Sequence, residues 1–489
     1  MLLLTLHICL VVVFSIRILL RDDLEATSRL AWFVILIIFP YFGAGLYWLF
    51  GENNIGQAIS KKYHAIFAEM RLNFPQLIST RQQNESQIDL PYRAAFAYAA
   101  SINGFHTLPN NRAELMPNAD QARARLLNDV EQAQHNIDIL YYIWLADHTG
   151  INLANALIRA AKRGVTCRVM VDGLGSRQFV RSSYWQQMQA AGVQLAISFP
   201  IDHPLKTIIT GRLDLRNHRK ITLIDNKIVY CGSQNCADPE FRVKARFAPW
   251  VDILLRFEGA VAQQMQILFT SDWLVATGKT ALDELPSGKD SISDKDSIVE
   301  QISTNTSGFA AQVVGDGPTE RKDSCPQLFV TLFHSAQHEI TLSTPYFVPD
   351  HTTIEAICAA AWRGVKVSLI FPQRNDSWVV SAASRSHYRR LLQAGIAIYE
   401  FKNGLLHAKT LTIDGKISYI GSTNLDLRSF NLNYENNILL QDNELTAAIY
   451  QRQQDYTAQS IAITQQQVGQ WSVLRRIWQN IVATIEPIL

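Results

Sequence analysis

The chain has 489 residues, 48% of them apolar and 18% charged, with a formal net charge of +2. That length holds about two to three domains and an ample core, and the near-neutral balance argues against a nucleic-acid partner, which needs a basic surface. The six cysteines (Cys9, Cys167, Cys231, Cys236, Cys325, Cys358) are scattered, with no CxxC pair and no Cys/His cluster at zinc spacing, so they read as buried, reduced thiols, and no metal or other cofactor is expected.

Leu2 to Ile16 carries no charge, Arg17 and Arg21 interrupt, and Ala31 to Phe50 is a second uncharged run with Trp32, Tyr47 and Trp48 near its ends. About 20 apolar residues span a bilayer as a helix and aromatic rings favour its interfaces, so the second run is expected to be one transmembrane helix. The first run has no basic residue ahead of it and no small-x-small cleavage site behind it. That pattern argues for an uncleaved span reaching about Leu20 rather than a signal peptide. Residues 1–51 are therefore expected to form a transmembrane hairpin with both ends on one side. Arg17, Arg21 and Arg29 in the connection balance Lys61, Lys62 and Arg71 beyond it, and the positive-inside rule leaves the orientation open.

Residues 52–118 are polar and mixed, with a helix expected over Tyr63 to Met70, and read as a connector. A helical pattern from Ala119 to Ala133 then leads into a buried strand, Ile137 to Trp144. A helix at about Asn152 to Arg163 and the β-branched run Val165 to Val171 complete a strand–helix–strand unit. Farther on comes His218-Arg-Lys220-Ile-Thr-Leu-Ile-Asp225, followed after six residues by Gly232-Ser233-Gln234-Asn235. Gly278 to Ser307 is rich in Ser, Asp, Lys and Thr and reads as a linker, its charges keeping it solvated.

The pattern then repeats. Glu339 to Tyr346, a helix at about Thr353 to Arg363, and Val365 to Phe371 form a second unit, and Gly164 and Gly364 occupy matching helix ends. The second phrase is His407-Ala-Lys409-Thr-Leu-Thr-Ile-Asp414, then Gly421-Ser422-Thr423-Asn424, so both copies read H-x-K-x4-D-x6-G-S-x-N. A whole α/β domain is duplicated, over 119–277 and 308–489. At the C-terminus, Trp471 to Trp478 reads either as an interfacial amphipathic segment, with Arg475 and Arg476 meeting anionic headgroups, or as a surface helix docking its tryptophans on the core.

His and Lys two apart in a β-branched stretch project from the same side of a strand, so two copies place two imidazoles and two ammonium groups around one space. A phosphodiester needs that set: cations for the phosphate oxygens, one His to attack phosphorus and another to protonate the leaving alkoxide. Asp225 and Asp414 break the parity and precede the turn residues Asn226-Lys227 and Gly415-Lys416, which makes them supporting partners at hairpin turns. A lone His-x-Lys is more often solvated surface, but recurrence of the whole spaced phrase reverses that reading.

With this duplicated HKD phrase the sequence resembles the phospholipase D superfamily. Arg29-Leu-Ala-Trp32, Phe39-Pro-Tyr-Phe-Gly43, Pro249-Trp-Val-Asp252, Ser271-Asp-Trp273, Pro345-Tyr-Phe-Val-Pro-Asp350 and the stretch Asn424 to Glu435 are similar, in order and spacing, to bacterial cardiolipin synthases. The resemblance implies tandem phospholipase D-like domains, pseudo-twofold mixed sheets flanked by helices, in a multi-pass protein of the bacterial inner membrane. It implies transfer of a phosphatidyl group between two phosphatidylglycerol molecules through a phosphohistidine. Lys220, Lys409, Asn235 and Asn424, with Ser233 and Ser422, would hold the phosphate, and Asp252 and Glu435 would orient the imidazoles. A symmetric pair does not say which His attacks, and the family analogy points to His218. A membrane phospholipase D or phosphatidyltransferase using water, another alcohol or another phospholipid as acceptor shares every one of these residues. A nuclease would need a basic groove, and binding alone would not need two His poised over one phosphate.

Overall fold

The computed structural model describes residues 2–22, 24, 26–51, 57–78, 87–200, 212, 214–279 and 308–485. The linker read at Gly278–Ser307 lies, beyond Lys279, outside the described residues. Both repeated units form parallel strand–helix–strand crossovers: Asn136–Tyr141, His148–Lys162 and Thr166–Asp172 in the first half, and Glu339–Ser343, His351–Trp362 and Lys366–Pro372 in the second. Each helix begins on an aspartate whose side chain accepts a backbone N–H, Asp147 from Gly150 and Asp350 from Thr353. The first of them lays Leu153, Ala154, Leu157 and Ala160 onto the sheet.

Fifteen strands in one order form a sheet with a centre of pseudo-symmetry, and the two-residue strand Arg216–Asn217, paired beside Asn433–Gln441, is its sixteenth. Outward through the first half run Leu108–Leu115, Leu254–Glu258, Ile228–Gly232, Lys220–Ile224, Asn136–Tyr141, Thr166–Asp172 and Gln194–Ser198. The second half runs Phe309–Asp316, Asn433–Gln441, Ile417–Gly421, Thr410–Ile413, Glu339–Ser343, Lys366–Pro372 and Ala397–Phe401, with Ser460–Ile463 added at the edge. Leu108–Leu115 pairs antiparallel with Phe309–Asp316 and joins the halves.

That seam strand belongs to the stretch read as a connector. Its sequence, Leu-Pro-Asn-Asn-Arg-Ala-Glu-Leu, has no period-two alternation, and neighbours on both sides hold it. Asn111 adds to this: its Nδ2 donates to Leu108 O and Phe309 O, and its Oδ1 accepts from Val261 N. The helix Arg93–Asn103 buries Phe96, Ala99 and Ile102 in the second half's core, and Gln57–Asn73 packs on the helix Ala260–Thr277. A third core lies between the halves, where Leu223, Val229 and Cys231 meet Ile420, Ile438 and Leu440.

At the N-terminus the single span expected over Ala31–Phe50 is instead two helices, Ala26–Ile38 (13 residues) and Pro40–Phe50 (11 residues), after a first helix Leu2–Leu19. Pro40 has no N–H to continue the ladder and forces Phe39 out of helical geometry, to φ −130° and ψ 66°. Hydropathy registers the apolar run but not the missing donor. Among the described residues no helix is long and apolar enough to cross a membrane. The three helices pack together through Ile18, Trp32, Leu36 and Tyr47, leaving Val13, Leu20, Ile37 and Phe42 exposed.

Candidate active site

The two HKD strands, Lys220–Ile224 and Thr410–Ile413, are buried at every position, and each histidine lies just before its strand, where the chain crosses to the other half. Arg216–Asn217 pairs with Asn433–Tyr434, and His218 N donates to Tyr434 O at 2.9 Å. Leu405–Leu406 likewise pairs with Trp250–Val251, and His407 N donates to Val251 O at 2.8 Å. The backbone approach to each imidazole is thus set by the opposite half.

The side chains follow the same exchange. His218 Nδ1 meets Glu435 at 2.9 Å to both carboxylate oxygens, and His407 Nδ1 meets Asp252 Oδ1 at 2.6 Å. Ser422 Oγ donates to Glu435 at 2.5 Å and Ser233 Oγ to Asp252 at 2.6 Å. Each half therefore supplies a Ser–carboxylate pair to the other half's histidine. Lys220 Nζ donates to His218 O at 2.6 Å and Lys409 Nζ to His407 O at 2.7 Å; His and Lys do not share a strand face as expected, because each histidine precedes the strand.

The glycine of each G-S-x-N allows this closeness. A Cβ on Gly232 would lie 2.2 Å from Ile253 O, and one on Gly421 2.2 Å from Asn436 O, against the backbone next to Asp252 and Glu435.

Burial pushes both histidines down to about 4, Glu435 opposing at His218 and Asp252 at His407. Both imidazoles are neutral at pH 7, and both carboxylates stay ionised, held below their usual range by the surrounding His, Lys and Ser groups despite burial. A carboxylate on Nδ1 fixes the proton there and leaves Nε2 with its lone pair. Burial lowers Lys220 to about 8 and Lys409 to about 7. The charge of Lys409 acts on His218 and that of Lys220 on His407, as expected of one shared centre.

The twelve residues singled out from sequence separate into groups. His218, Lys220, His407, Lys409, Asp252 and Glu435 come together. Ser233 and Ser422, expected at the phosphate, are fully buried and turned to the carboxylates instead. Asn235 Oδ1 accepts from Ile143 N at 3.3 Å and Asn424 Nδ2 donates to Ser429 Oγ at 3.1 Å. Asp225 and Asp414 stand away from this cluster. Asp225, φ 51°, accepts the backbone N–H groups of Gln134, His135 and Asn136, and Asp414, φ 54°, those of Gln337, His338 and Glu339 together with Tyr92 OH. They fasten the hairpin turns to the start of the neighbouring strand.

Sequence reasoning missed the aromatic walls and the buried arginine. The Tyr142 ring stands edge-on to His218 at 4.8 Å between centroids, and Trp250 lies 4.5 Å from His407, backed by Phe241 at 4.0 Å. Arg219, the variable residue of the first phrase, is fully buried and binds Asp272 at 2.5 Å, Tyr63 OH at 3.3 Å and Glu435 O at 3.0 Å. The second phrase has Ala408 at that place, and this difference between the two copies was the available signal.

Duplicated mixed sheets sharing one His/Lys centre define the class: an HKD protein of the phospholipase D type. A family profile described as "Cardiolipin synthase, PLD-like domain" matches residues 126–273 and 329–455, and one described as "Phospholipase_D-nuclease N-terminal" matches 9–52. Cardiolipin synthase A of Serratia proteamaculans (strain 568) is 34% identical over 469 residues, 96% of this chain and 93% of that protein. Cardiolipin synthase A of Yersinia pseudotuberculosis serotype IB (strain PB1/+) is 33% identical over 479 residues, 97% of this chain and 95% of that protein. The chain belongs to the cardiolipin synthase family. Among solved structures, phosphatidylserine synthase of Haemophilus influenzae Rd KW20 shares the fold, with TM-score 0.57 at 15% identity over 78% of this chain and 97% of that one.

Proposed function

We propose that the chain is a phosphatidyltransferase that makes cardiolipin and glycerol from two phosphatidylglycerol molecules. The observation that carries this reading is the pair of histidines, each oriented by a carboxylate from the opposite half, beside two buried lysines. Nε2 of one histidine, His218 by family analogy, attacks phosphorus. The other, carrying a proton on Nε2 as well while its carboxylate partner and the phosphodiester anion balance the charge, gives that proton to the departing glycerol oxygen as the first becomes a phosphatidyl–histidine. It next takes the proton of a second phosphatidylglycerol hydroxyl, whose oxygen attacks phosphorus and frees the first histidine. Atoms and charge balance without a cofactor, and the exchange of one phosphate ester for another needs no energy source.

Lys220 and Lys409 meet the phosphate oxygens. Their lowered pKa values reflect burial of the ammonium groups, with the charge of Lys220 adding to it at Lys409, a cost that a bound phosphodiester anion offsets. Asn235 spends its Oδ1 on the backbone and keeps its amide N–H groups for the anion. The domain division follows from the duplication: 119–277 and 308–489 as the catalytic halves, and 52–118 bracing both.

The membrane reading rests on the N-terminal helices. Their exposed Val13, Leu20, Ile37 and Phe42 fit a lipid surround, with Leu2–Leu19 as one limb of a hairpin and the Pro40-kinked pair Ala26–Ile38 and Pro40–Phe50 as the other, in a multi-pass inner-membrane arrangement.

The test is full-length protein in vesicles with phosphatidylglycerol as the reactive lipid, products resolved by mass, beside His218→Ala and His407→Ala. Cardiolipin and glycerol in equal amounts from wild type, and from neither variant, is the expected result. Phosphatidic acid instead would make water the acceptor and overturn the transferase reading.

A further inference from the structure

The C-terminal helix Val473–Ile485 is amphipathic the wrong way round for a helix of a soluble domain. Val482 and Gln479 face inward, Val482 against Ala382, Ala383 and Val348. Leu474, Ile477, Trp478 and Ile481, spaced as one helical stripe, face outward; Leu474 is 78% exposed and Trp478 50%. Trp378, at the start of the helix Trp378–Ser386, is 64% exposed and stacks on Trp478 at 5.7 Å, which extends the stripe onto a second element.

Basic side chains border this face. Arg475 and Arg476 are exposed on a helix without an acidic residue. From the first half, the turn Arg242–Phe247 brings exposed Val243, Lys244 and Arg246 to the same edge, where Lys244 Nζ reaches Asp376 at 2.5 Å, two residues before Trp378.

The position relative to the catalytic centre is close. Val348, on which Val482 packs, lies in the short strand Phe347–Val348 that pairs with Leu425–Asp426, the residues directly after Asn424. Asp376 also accepts from Tyr346 OH at 2.7 Å.

We propose that Leu474, Ile477, Trp478 and Ile481 with Trp378, flanked by Arg475 and Arg476, form an interfacial docking face that seats the catalytic body on an anionic phospholipid surface, with its active-site edge toward the headgroups. Apolar side chains enter the acyl boundary, the tryptophans sit at the headgroup level, and the arginines meet lipid phosphates. A second copy of the chain would set the same arginine pair against itself, whereas an anionic bilayer complements it. The inference deepens the phospholipid reading of the site and rests on it.

The test uses the full chain and reads a probe position rather than flotation, which the N-terminal helices alone would satisfy. Cys9 is exposed and the other five cysteines are buried, so Ile477→Cys in a Cys9→Ser background takes an environment-sensitive fluorophore at one place, and the unaltered chain labelled at Cys9 is the control. In vesicles of phosphatidylcholine with phosphatidylglycerol the probe at 477 shifts to the blue and is quenched by lipids brominated near the headgroup. The effect shrinks in phosphatidylcholine alone and in Arg475→Gln/Arg476→Gln. A water-like probe at 477 while the Cys9 probe reports hydrocarbon overturns the proposal. So does a blue shift that needs no lipid and grows with protein concentration, the sign of a second copy.

As a functional reading, Leu474→Gln/Ile477→Gln/Ile481→Gln raises the surface fraction of phosphatidylglycerol needed for half-maximal rate by about tenfold, with the saturated rate unchanged. An unchanged requirement contradicts the proposal. If wild type makes no cardiolipin, the transferase reading fails, while the probe still decides the docking face.

Discussion

Replacing Glu435 by glutamine tests the core of the mechanism, because shape and one acceptor oxygen are kept and only the charge goes. Glu435 is fully buried, reaches His218 Nδ1 with both oxygens at 2.9 Å, and also accepts from Ser422 Oγ and Asn433 Nδ2. When Nε2 bonds to phosphorus the ring becomes cationic. At that point a charge–charge contact of about 4 kcal/mol at an effective dielectric near 20 replaces a neutral hydrogen bond of about 1 kcal/mol. Losing the difference, about 3 kcal/mol, costs on the order of 100-fold in turnover. If the new amide turns its NH2 to the ring, Nδ1 must accept, the proton moves to Nε2, and no nucleophile remains; the loss is then larger. Ser422→Ala removes only a donor to the same carboxylate, about 1 kcal/mol, or roughly fivefold. The assay is the initial rate of cardiolipin formation in phosphatidylglycerol vesicles, with thermal melting to verify folding. A folded Glu435→Gln protein within about threefold of wild type, or one no worse than Ser422→Ala, would refute the role given to the carboxylate.

Acid should destabilise the ligand-free protein. Both histidines are lowered to about 4 from the ordinary 6.5, so between those values the unfolded chain binds more protons and stability falls as pH drops. The histidine contribution ends below about 4, where protonation of Asp252 and Glu435, both held below their usual range, continues the fall. The melting temperature should track this, and less so between pH 6.5 and about 4 in His218→Gln/His407→Gln. Asp225→Ala leaves the N–H groups of Gln134, His135 and Asn136 without their acceptor and puts alanine at φ 51°. The expected loss is about 2–3 kcal/mol of stability with the folded enzyme's rate kept, whereas a lost rate at unchanged melting temperature would make Asp225 catalytic. Gly421→Ala must separate the strand Ile417–Gly421 from Asn433–Gln441 and so displace both Ser422 and Glu435; a shift near 1 Å is expected to cost about 100-fold in rate, and full activity would show that the contact relaxes without consequence.

The duplication was legible because spacing is a property of the chain itself: H-x-K, a turn after Asp and G-S-x-N recur intact, although each histidine lies before its strand and not on it. The partnership of Asp252 with His407 and of Glu435 with His218 was not, since nothing local says that a carboxylate serves the histidine of the other half. Ser233 and Ser422 were expected at phosphate by family resemblance. Their backbone donates to Ile253 O and Asn436 O, however, and this aims each Oγ at the carboxylate one residue earlier on the facing strand. The run Ala31–Phe50 reads as one helix to any scale that sums side chains, and Pro40 breaks it through a missing backbone donor. Leu108–Leu115 was invisible as a strand because its partners on both sides supply the order that its own pattern lacks.

The exchange of partners between halves explains why the centre cannot be assembled by either half alone. In each half the histidine would have no carboxylate and no strand to fix its backbone, while the Ser–carboxylate pair would orient nothing. Symmetry delivers two equivalent dyads, yet the proposed reaction needs one histidine to attack and the other to move protons, so any difference between them has to come from behind the site. Arg219 against Ala408 is such a difference. The buried guanidinium ties Glu435 O to Asp272 and to Tyr63 on the helix Gln57–Asn73, so the backbone behind the His218 dyad is anchored through the segment that follows the N-terminal apolar helices. The His407 dyad has a single 2.6 Å contact from Asp252 and a tryptophan face instead. A histidine that must hold a covalent phosphatidyl group through one half-reaction suits the anchored position, and one that gives and retakes a proton suits the position with fewer ties.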